Sequence, residues 1–392
     1  MERISEAAKR LKGQEMFHIL DKAQELEREG KHIIHFELGD PNFDTPKNIV
    51  NAACDSLRKG ETHYTNSHGL LELRAAAARA METGIRGFKP NLEQILVTPG
   101  ANIQIYYSIA CTTNPGEEVL VPDPGFVSYY SIINFLGVKP VRVPLHEKNE
   151  FRLNPSDVEK AITDKTKMII INSPSNPTGS VMHESEIRDI YDLAKKNEIY
   201  LLSDEIYRRL TYANESTKFF SPSVIDKCKE RSIIINGFSK AYAMTGWRIG
   251  VVIGPSDVVS KMNLLLETTS SCVSPFIQRG GIEALSGDQE PVNKMAKEYK
   301  RRRDVISEGL NTLPGVRCIT PQGAIYAFPN ISGTKFNSRE FSDFMLNEAG
   351  VAVAPGPIFG EYGEGYIRLS YANSIENIEN GISRMKYALQ NR

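Results

Sequence analysis

Through the middle of the chain, short apolar runs rich in Ile and Val alternate with segments whose apolar residues recur at helical spacing. The runs are Ile95–Thr98, Val119–Val121, Lys167–Ile171, Ile199–Ser203, Ser232–Ile235 and Ile249–Ile253. Runs this short, apolar at successive positions, predict strands covered on both faces, as in a parallel sheet. Between two of them, Glu184–Lys196 (ESEIRDIYDLAKK) puts its apolar residues on one helical face and ends on two lysines, which suit a helix C-terminus. The alternation predicts an α/β fold with a mainly parallel sheet flanked by helices. From about Glu290 the pattern changes. A long charged helix over Pro291–Leu310 precedes Tyr326–Pro329, a helix near Arg339–Glu348, and Tyr366–Ser370. Shorter strands mixed with helices predict a smaller α+β domain. The expected division is a large domain over residues 46–289 and a small one over 290–392. Residues 1–45 are expected to pack with the small domain and make it discontinuous.

The strand ends carry the chemistry. Ile95–Thr98 runs into Pro99-Gly100-Ala101-Asn102, and Val119–Val121 into Pro122-Asp123-Pro124-Gly125-Phe126. Lys167–Ile171 is followed by Asn172 to Gly179 (NSPSNPTG), Ile199–Ser203 by Asp204-Glu205-Ile206-Tyr207, and Ser232–Ile235 by Asn236-Gly237-Phe238-Ser239-Lys240. Ligands of open parallel sheets bind beyond the carboxyl ends of the strands. Five such ends supplying polar groups predict one large site along that edge.

Charge and composition narrow the classes of partner. The 392 residues carry 47 basic and 48 acidic side chains, so the basic excess of a nucleic-acid or anionic-membrane binder is missing. No stretch has the apolar length of a membrane span, and the polar start MERISEAAKRLKGQEMF lacks the apolar centre of a signal peptide. Cys54, Cys111, Cys228, Cys272 and Cys318 are scattered, with no CxxC pair and no zinc spacing. The expectation is a cytoplasmic protein with reduced thiols and no metal.

Two residues stand out on chemical grounds. Lys240 follows an apolar run and sits among small residues; desolvation at a sheet edge lowers a lysine pKa, as Schiff-base chemistry requires. Read alone it is an ordinary solvated lysine. Asp204 ends the strand LLSD, where a buried carboxylate is costly unless a cation or donor meets it. A lysine paired with an acid for a protonated pyridine nitrogen marks pyridoxal sites.

Four segments, NPTG (Asn176–Gly179), SDEIY (Ser203–Tyr207), SKAYAMTGWRIG (Ser239–Gly250) and RLSYA (Arg368–Ala372), occur in the order seen in class I/II aminotransferases of fold type I. From Gly39 to Arg368 the chain resembles that family. The resemblance implies pyridoxal 5′-phosphate as cofactor, held by Lys240 as a Schiff base, with Asp204 on the pyridine nitrogen. It implies Tyr207 and Asn176 as donors to the phenolic oxygen, and Phe126 stacked over the ring. Phosphate contacts would come from Gly100, Ala101 and Asn102 at a helix N-terminus, from Ser239 and from the forked guanidinium of Arg248. Tyr64 would reach the phosphate of a neighbouring subunit, which implies a homodimer. Arg368, helped by the Gly39 backbone and Asn176, would take the substrate carboxylate. The plainer alternatives are a core role for Phe126, a semi-exposed aromatic at Tyr64, a turn at Asn176 and a structural ion pair at Arg368.

Two positions depart from the pattern. Gly237 stands where many members carry a hydroxyl for the phosphate. Asn102 stands where aspartate-specific members of the prokaryotic branch carry a lysine for the distal carboxylate, which puts strict aspartate specificity in doubt. The expected reaction moves an amino group from an L-amino acid, with a broad, aromatic or alanine-like donor, to a 2-oxo acid such as 2-oxoglutarate. A decarboxylase, lyase or oxidase on the same scaffold is the alternative.

Overall fold

The computed structural model describes residues 3–13, 15–212 and 218–392. A two-residue strand, β1 (Ile34–His35), precedes β2 (Ile95–Thr98), β3 (Glu118–Asp123), β4 (Lys139–Pro144), β5 (Thr166–Asn172), β6 (Tyr200–Asp204), β7 (Ser232–Gly237) and β8 (Gly250–Ile253). These last seven form one sheet in the order β2-β8-β7-β6-β5-β3-β4. The pairs of β3 with β4 and β5, of β5 with β6 and of β6 with β7 are parallel. Only β8 runs antiparallel to both of its neighbours. The carboxyl ends of β2, β3, β5, β6 and β7 therefore share one edge.

Both faces of the sheet are dry, which explains why its strands read as unbroken apolar runs. In β5, Met168 and Ile170 join one core with Leu96, Val121 and Leu202. Ile169 and Ile171 point to the opposite core with Leu120 and Leu201. The helix Glu184–Lys196 has the bounds its pattern predicts and buries Ile187, Ile190, Tyr191 and Ala194 as one face. The Glu186 carboxylate accepts from the His183 backbone N–H at 2.8 Å, closing the helix start.

Beyond the large sheet, β9 (Tyr326–Ala327), β10 (Val351–Ala352), β11 (Ala354–Pro355) and β12 (Ile367–Ser370) complete the strands among the described residues. The order β11-β12-β9 forms an antiparallel three-stranded sheet, while β10 pairs in parallel with β1. The β1–β10 pairing joins the N-terminal segment to the C-terminal region. His35 strengthens that junction: its Nδ1 lies 2.8 Å from Glu37 Oε1 and its Nε2 3.2 Å from Glu27 Oε1 on the helix Met16–Arg28. The two carboxylates raise its pKa to about 9 against the opposing effect of burial, so the imidazolium is the form held at neutral pH. Residues 36–40 leave β1 and run directly to the sheet edge where the polar strand ends collect.

Candidate active site

A cavity of about 330 Å³ lies at that edge. Its lining draws Ala101 and Asn102 from the segment after β2, Phe126 from the segment after β3, Asn172 from the end of β5 with Asn176 just beyond it, and Asp204 from the end of β6 with Tyr207 just beyond it. The segment after β7 adds Ser239 and Lys240, and Arg248, Gly39 and Arg368 complete it. Of the thirteen expected site residues, eleven line this cavity directly. Gly100 reaches it through Arg248: a Cβ built on Gly100 would lie 2.5 Å from Arg248 Nη2. Tyr64 is apart from it and 87% exposed.

Asp204 is 6% exposed. Its Oδ2 accepts from the Tyr129 hydroxyl at 2.6 Å and its Oδ1 from the Ile206 N–H at 3.2 Å. Desolvation pushes the carboxyl up, and these two donors only oppose that shift. A cationic N–H opposite the carboxylate would stabilise its charge where the present neutral partners do so incompletely.

Lys240 is half-buried, and its Nζ donates to the Gly39 carbonyl at 2.5 Å. The Tyr207 and Tyr326 hydroxyls share a hydrogen bond of 2.7 Å. Burial holds the Tyr207 phenol well above its ordinary range, so it remains a donor. Two hydroxyls that share one bond keep one O–H to donate elsewhere.

Arg368 is 1% exposed. Its Nη1 donates to Asn176 Oδ1 at 3.1 Å and its Nη2 to the Glu37 carbonyl. The guanidinium lies over the rings of Tyr326 and Phe359, at 4.5 and 4.7 Å from their centroids. Its Nε is buried without a hydrogen-bond partner, and burial lowers its pKa. A buried cation bonded only to neutral oxygens is a receptor for a carboxylate. Asn176 spends its carbonyl oxygen on Arg368, which leaves the amide Nδ2 for another acceptor.

The helix Asn102–Thr112 starts at the cavity, with the free N–H groups of its first turn beside Arg248. Arg248 adopts φ of 51° and its Nη1 donates to the Thr245 carbonyl at 2.8 Å, which holds the guanidinium against the Gly100 turn. At Gly237 a Cβ would sit 2.9 Å from Ile206 Cδ1, so a side chain there would need the end of the Ile206 side chain to shift. Phe126 meets Tyr129 edge to face at 5.6 Å between centroids.

Several residues that line or support the cavity were not foreseen. Tyr129 lies one helical turn beyond Phe126, and that i, i+3 spacing was the available signal. Asn172 accepts the Asn176 N–H at 2.8 Å and so sets the NPTG turn. Tyr326, Met16 and Phe17 come from remote parts of the chain and carry no local signal. A side chain at Gly39 would collide with the Tyr326 ring, so the backbone there must stay bare. No group of His, Cys, Asp and Glu among the described residues could hold a metal ion.

A primary amine, a buried carboxylate without a cation, paired phenols and an anion cradle of helix N–H groups and guanidinium fit pyridoxal phosphate group by group. The comparisons with known proteins agree. Residues 31–385 match the family model described as aminotransferase class I and II. The chain is 42% identical to the aspartate aminotransferase of Pyrococcus abyssi, over 92% of this chain and 93% of that one. It is 40% identical to aromatic-amino-acid aminotransferase 2 of Thermococcus litoralis over 99% of both chains. The solved structure of Thermus thermophilus aspartate aminotransferase with maleate superposes with a TM-score of 0.94 at 33% identity, covering 99% of this chain and 100% of that one. The chain belongs to the class I and II aminotransferases: it is a pyridoxal-phosphate-dependent enzyme that moves amino groups between amino acids and 2-oxo acids.

Proposed function

We propose that the enzyme takes donors with apolar, aromatic or alanine-like side chains, and that the thirteen residues above perform the steps their positions suit. When bound, pyridoxal phosphate supplies an electron sink and the carbonyl carbon that receives the amino group. Lys240 holds the cofactor and then carries the proton from the substrate Cα. Asp204 keeps the proton on the pyridine nitrogen, while Tyr207 and Asn176 donate to the phenolic oxygen. Gly100, Ala101, Asn102, Ser239 and Arg248 hold the phosphate, Phe126 covers the ring, and Arg368 with Gly39 and Asn176 orients the substrate carboxylate.

The observation that carries the donor reading is the cation count of the cavity. Among its described lining residues the cations are Lys240, Arg248 and Arg368, all committed to the cofactor or the α-carboxylate. The remaining wall, with Met16, Phe17, Leu38, Ile105, Phe126 and Tyr326, offers apolar surface to a donor side chain, and Asn102 offers an amide. A distal carboxylate would lose its water there without gaining a positive partner. Titrating the cofactor-loaded enzyme with single amino acids, with no 2-oxo acid present, tests this. Phenylalanine, tyrosine or alanine is expected to bleach the visible band at least about tenfold more efficiently than aspartate, and 2-oxoglutarate to restore it. A preference for aspartate would overturn the reading.

The working unit we infer is a homodimer in the cytoplasm. Tyr64 is solvent-exposed, as are the apolar side chains of Leu71 and Leu264, and Ser67 ties the loop after Tyr64 to Glu267 at 2.5 Å. Exposed apolar side chains of this kind fit burial against a second copy of the chain, whose site Tyr64 would complete. Light scattering should return about twice 43.8 kDa; a monomer with full activity would remove Tyr64 from the site. All five cysteines are free, as in a reducing compartment, and no helix among the described residues is long and apolar enough to cross a membrane. We assign residues 46–289 to cofactor binding, and 290–392 with 1–45 to the smaller domain that brings Arg368 and Phe17 to the site.

A further inference from the structure

We propose that a second cleft, separate from the cavity that holds Asp204 and lined by Arg79, Arg208 and Arg209, binds a phosphorylated small molecule. The cleft has a volume of about 530 Å³. It lies where the helices Leu71–Gly84 and Pro275–Ser286 both end, beside the turn Arg208–Leu210. No carboxylate is among its described lining residues.

The three arginines lack the counter-charges that other arginines of this protein have. Arg152 is paired with Glu150 and with Glu186, the latter at 2.9 Å; Arg279 meets Glu61 at 2.9 Å and Glu72 at 3.1 Å; and Arg302 meets Glu298 at 3.1 Å. In the cleft, Arg209 Nη1 donates only to neutral oxygens, the Tyr242 hydroxyl at 2.7 Å and Gln289 Oε1 at 2.5 Å. Arg79 is exposed and Arg208 half-buried, and among the described residues neither guanidinium has a hydrogen bond or an ion pair. The nearby acids are engaged elsewhere. Glu82 is paired with Lys89 at 2.8 Å, Glu283 accepts from Asn48 at 2.8 Å, and Asp288 accepts from the Glu290 N–H at 2.9 Å.

Two features offset part of this positive charge. Arg208 packs against the end of the helix Leu71–Gly84, where a Cβ built on Gly84 would be 3.3 Å from its Nη1, so it faces the negative end of that helix. Glu205, fully buried behind the turn, also attracts Arg208. Its Oε1 is taken by the hydroxyls of Ser203 at 3.1 Å and Ser221 at 2.6 Å, and burial pushes its pKa up to about 7. The second helix end contributes little, because Gln289 Nε2 already donates to the Ala284 and Gly287 carbonyls at 3.0 and 2.9 Å. Among the described residues, no carboxylate forms an ion pair with any of the three guanidinium groups.

The lining says which anion fits. Guanidinium forks match phosphate oxygens, and Thr83 and Ser286 add hydroxyl donors at the rim. A cleft of this volume exceeds what one phosphate group fills, and Phe219 and Tyr242 give it an aromatic wall for the rest of the ligand. A phosphomonoester with a ring or short apolar body meets both requirements.

The test is calorimetric titration of the cofactor-loaded enzyme with phenyl phosphate at constant ionic strength. Loading occupies the cofactor's own phosphate cradle, so Arg248 does not compete. Saturable binding with Kd below about 1 mM is expected, weakened at least about tenfold in Arg79→Gln and in Arg208→Gln. Arg79 is exposed, so its variant tests the idea even if Arg208→Gln folds poorly. Phenylalanine should not displace the ligand. Absence of saturation up to about 10 mM, unchanged affinity in Arg79→Gln, or displacement by phenylalanine would each overturn the proposal. Failure of this site leaves the donor reading intact, because that reading is scored on the visible band alone.

Discussion

Replacing Lys240 by alanine is expected to cut amino-group transfer by on the order of 10⁴-fold or more, while the protein keeps its fold. The stability side follows from its surroundings. Lys240 is half-buried, and its one hydrogen bond goes to the Gly39 carbonyl. Removing it leaves a single backbone acceptor short of a donor, a cost of about 1–3 kcal/mol that a domain of this size tolerates. The chemical side is not replaceable. Among the described residues no other primary amine lines the cavity, and Arg248 and Arg368 do not give up their protons at neutral pH. The readouts are kcat, the visible band of the bound cofactor, and thermal unfolding. Loss of the first two with Tm within a few degrees is the expected pattern. An active variant with the wild-type band would remove Lys240 from its assigned role.

That prediction was open to sequence reasoning because strand ends are legible. Apolar runs covered on both faces carry their own signal, and in a parallel sheet their carboxyl ends must converge. Ala101, Phe126, Asn176, Asp204 and Lys240 could thus be grouped before any coordinates. The strand β4 (KPVRVP) escaped for a physical reason: it is the edge of the sheet, where Pro140 and Pro144 and charged residues are tolerated and the apolar run is broken. The other omissions arise from long-range contacts. Tyr326 meets Tyr207 across 119 positions, and Arg368 meets Asn176 across 192. Met16 and Phe17 reach the cavity from a helix whose pattern reports only amphipathicity. Arg368 was found only because RLSYA belongs to a recognisable ordered set. Periodicity alone reads it as a cation misplaced in a strand.

The same misplaced cation gives the second large expected effect. Arg368→Ala should lower kcat/KM by roughly 10²–10³-fold, mainly through KM, with the visible band of the cofactor preserved. The guanidinium is almost wholly enclosed, bonded to the carbonyls of Asn176 and Glu37, and its buried Nε has no partner. Desolvation has therefore been met before the substrate arrives, and an incoming carboxylate gains a charge-assisted fork without that cost. The alternative role as a structural ion pair predicts a carboxylate within bonding distance. Among the described residues none is bonded to it, and the Glu37 carboxylate acts only through its field. Alanine would also empty a buried volume between Tyr326 and Phe359, so some fall in Tm is expected. Arg368→Lys separates the two effects, because it retains charge and most of the packing but loses the planar fork. If the fork binds the substrate, the lysine variant keeps near-native stability yet still shows a KM raised at least about tenfold. If Arg368 only supports the fold, the lysine variant should recover KM as it recovers Tm.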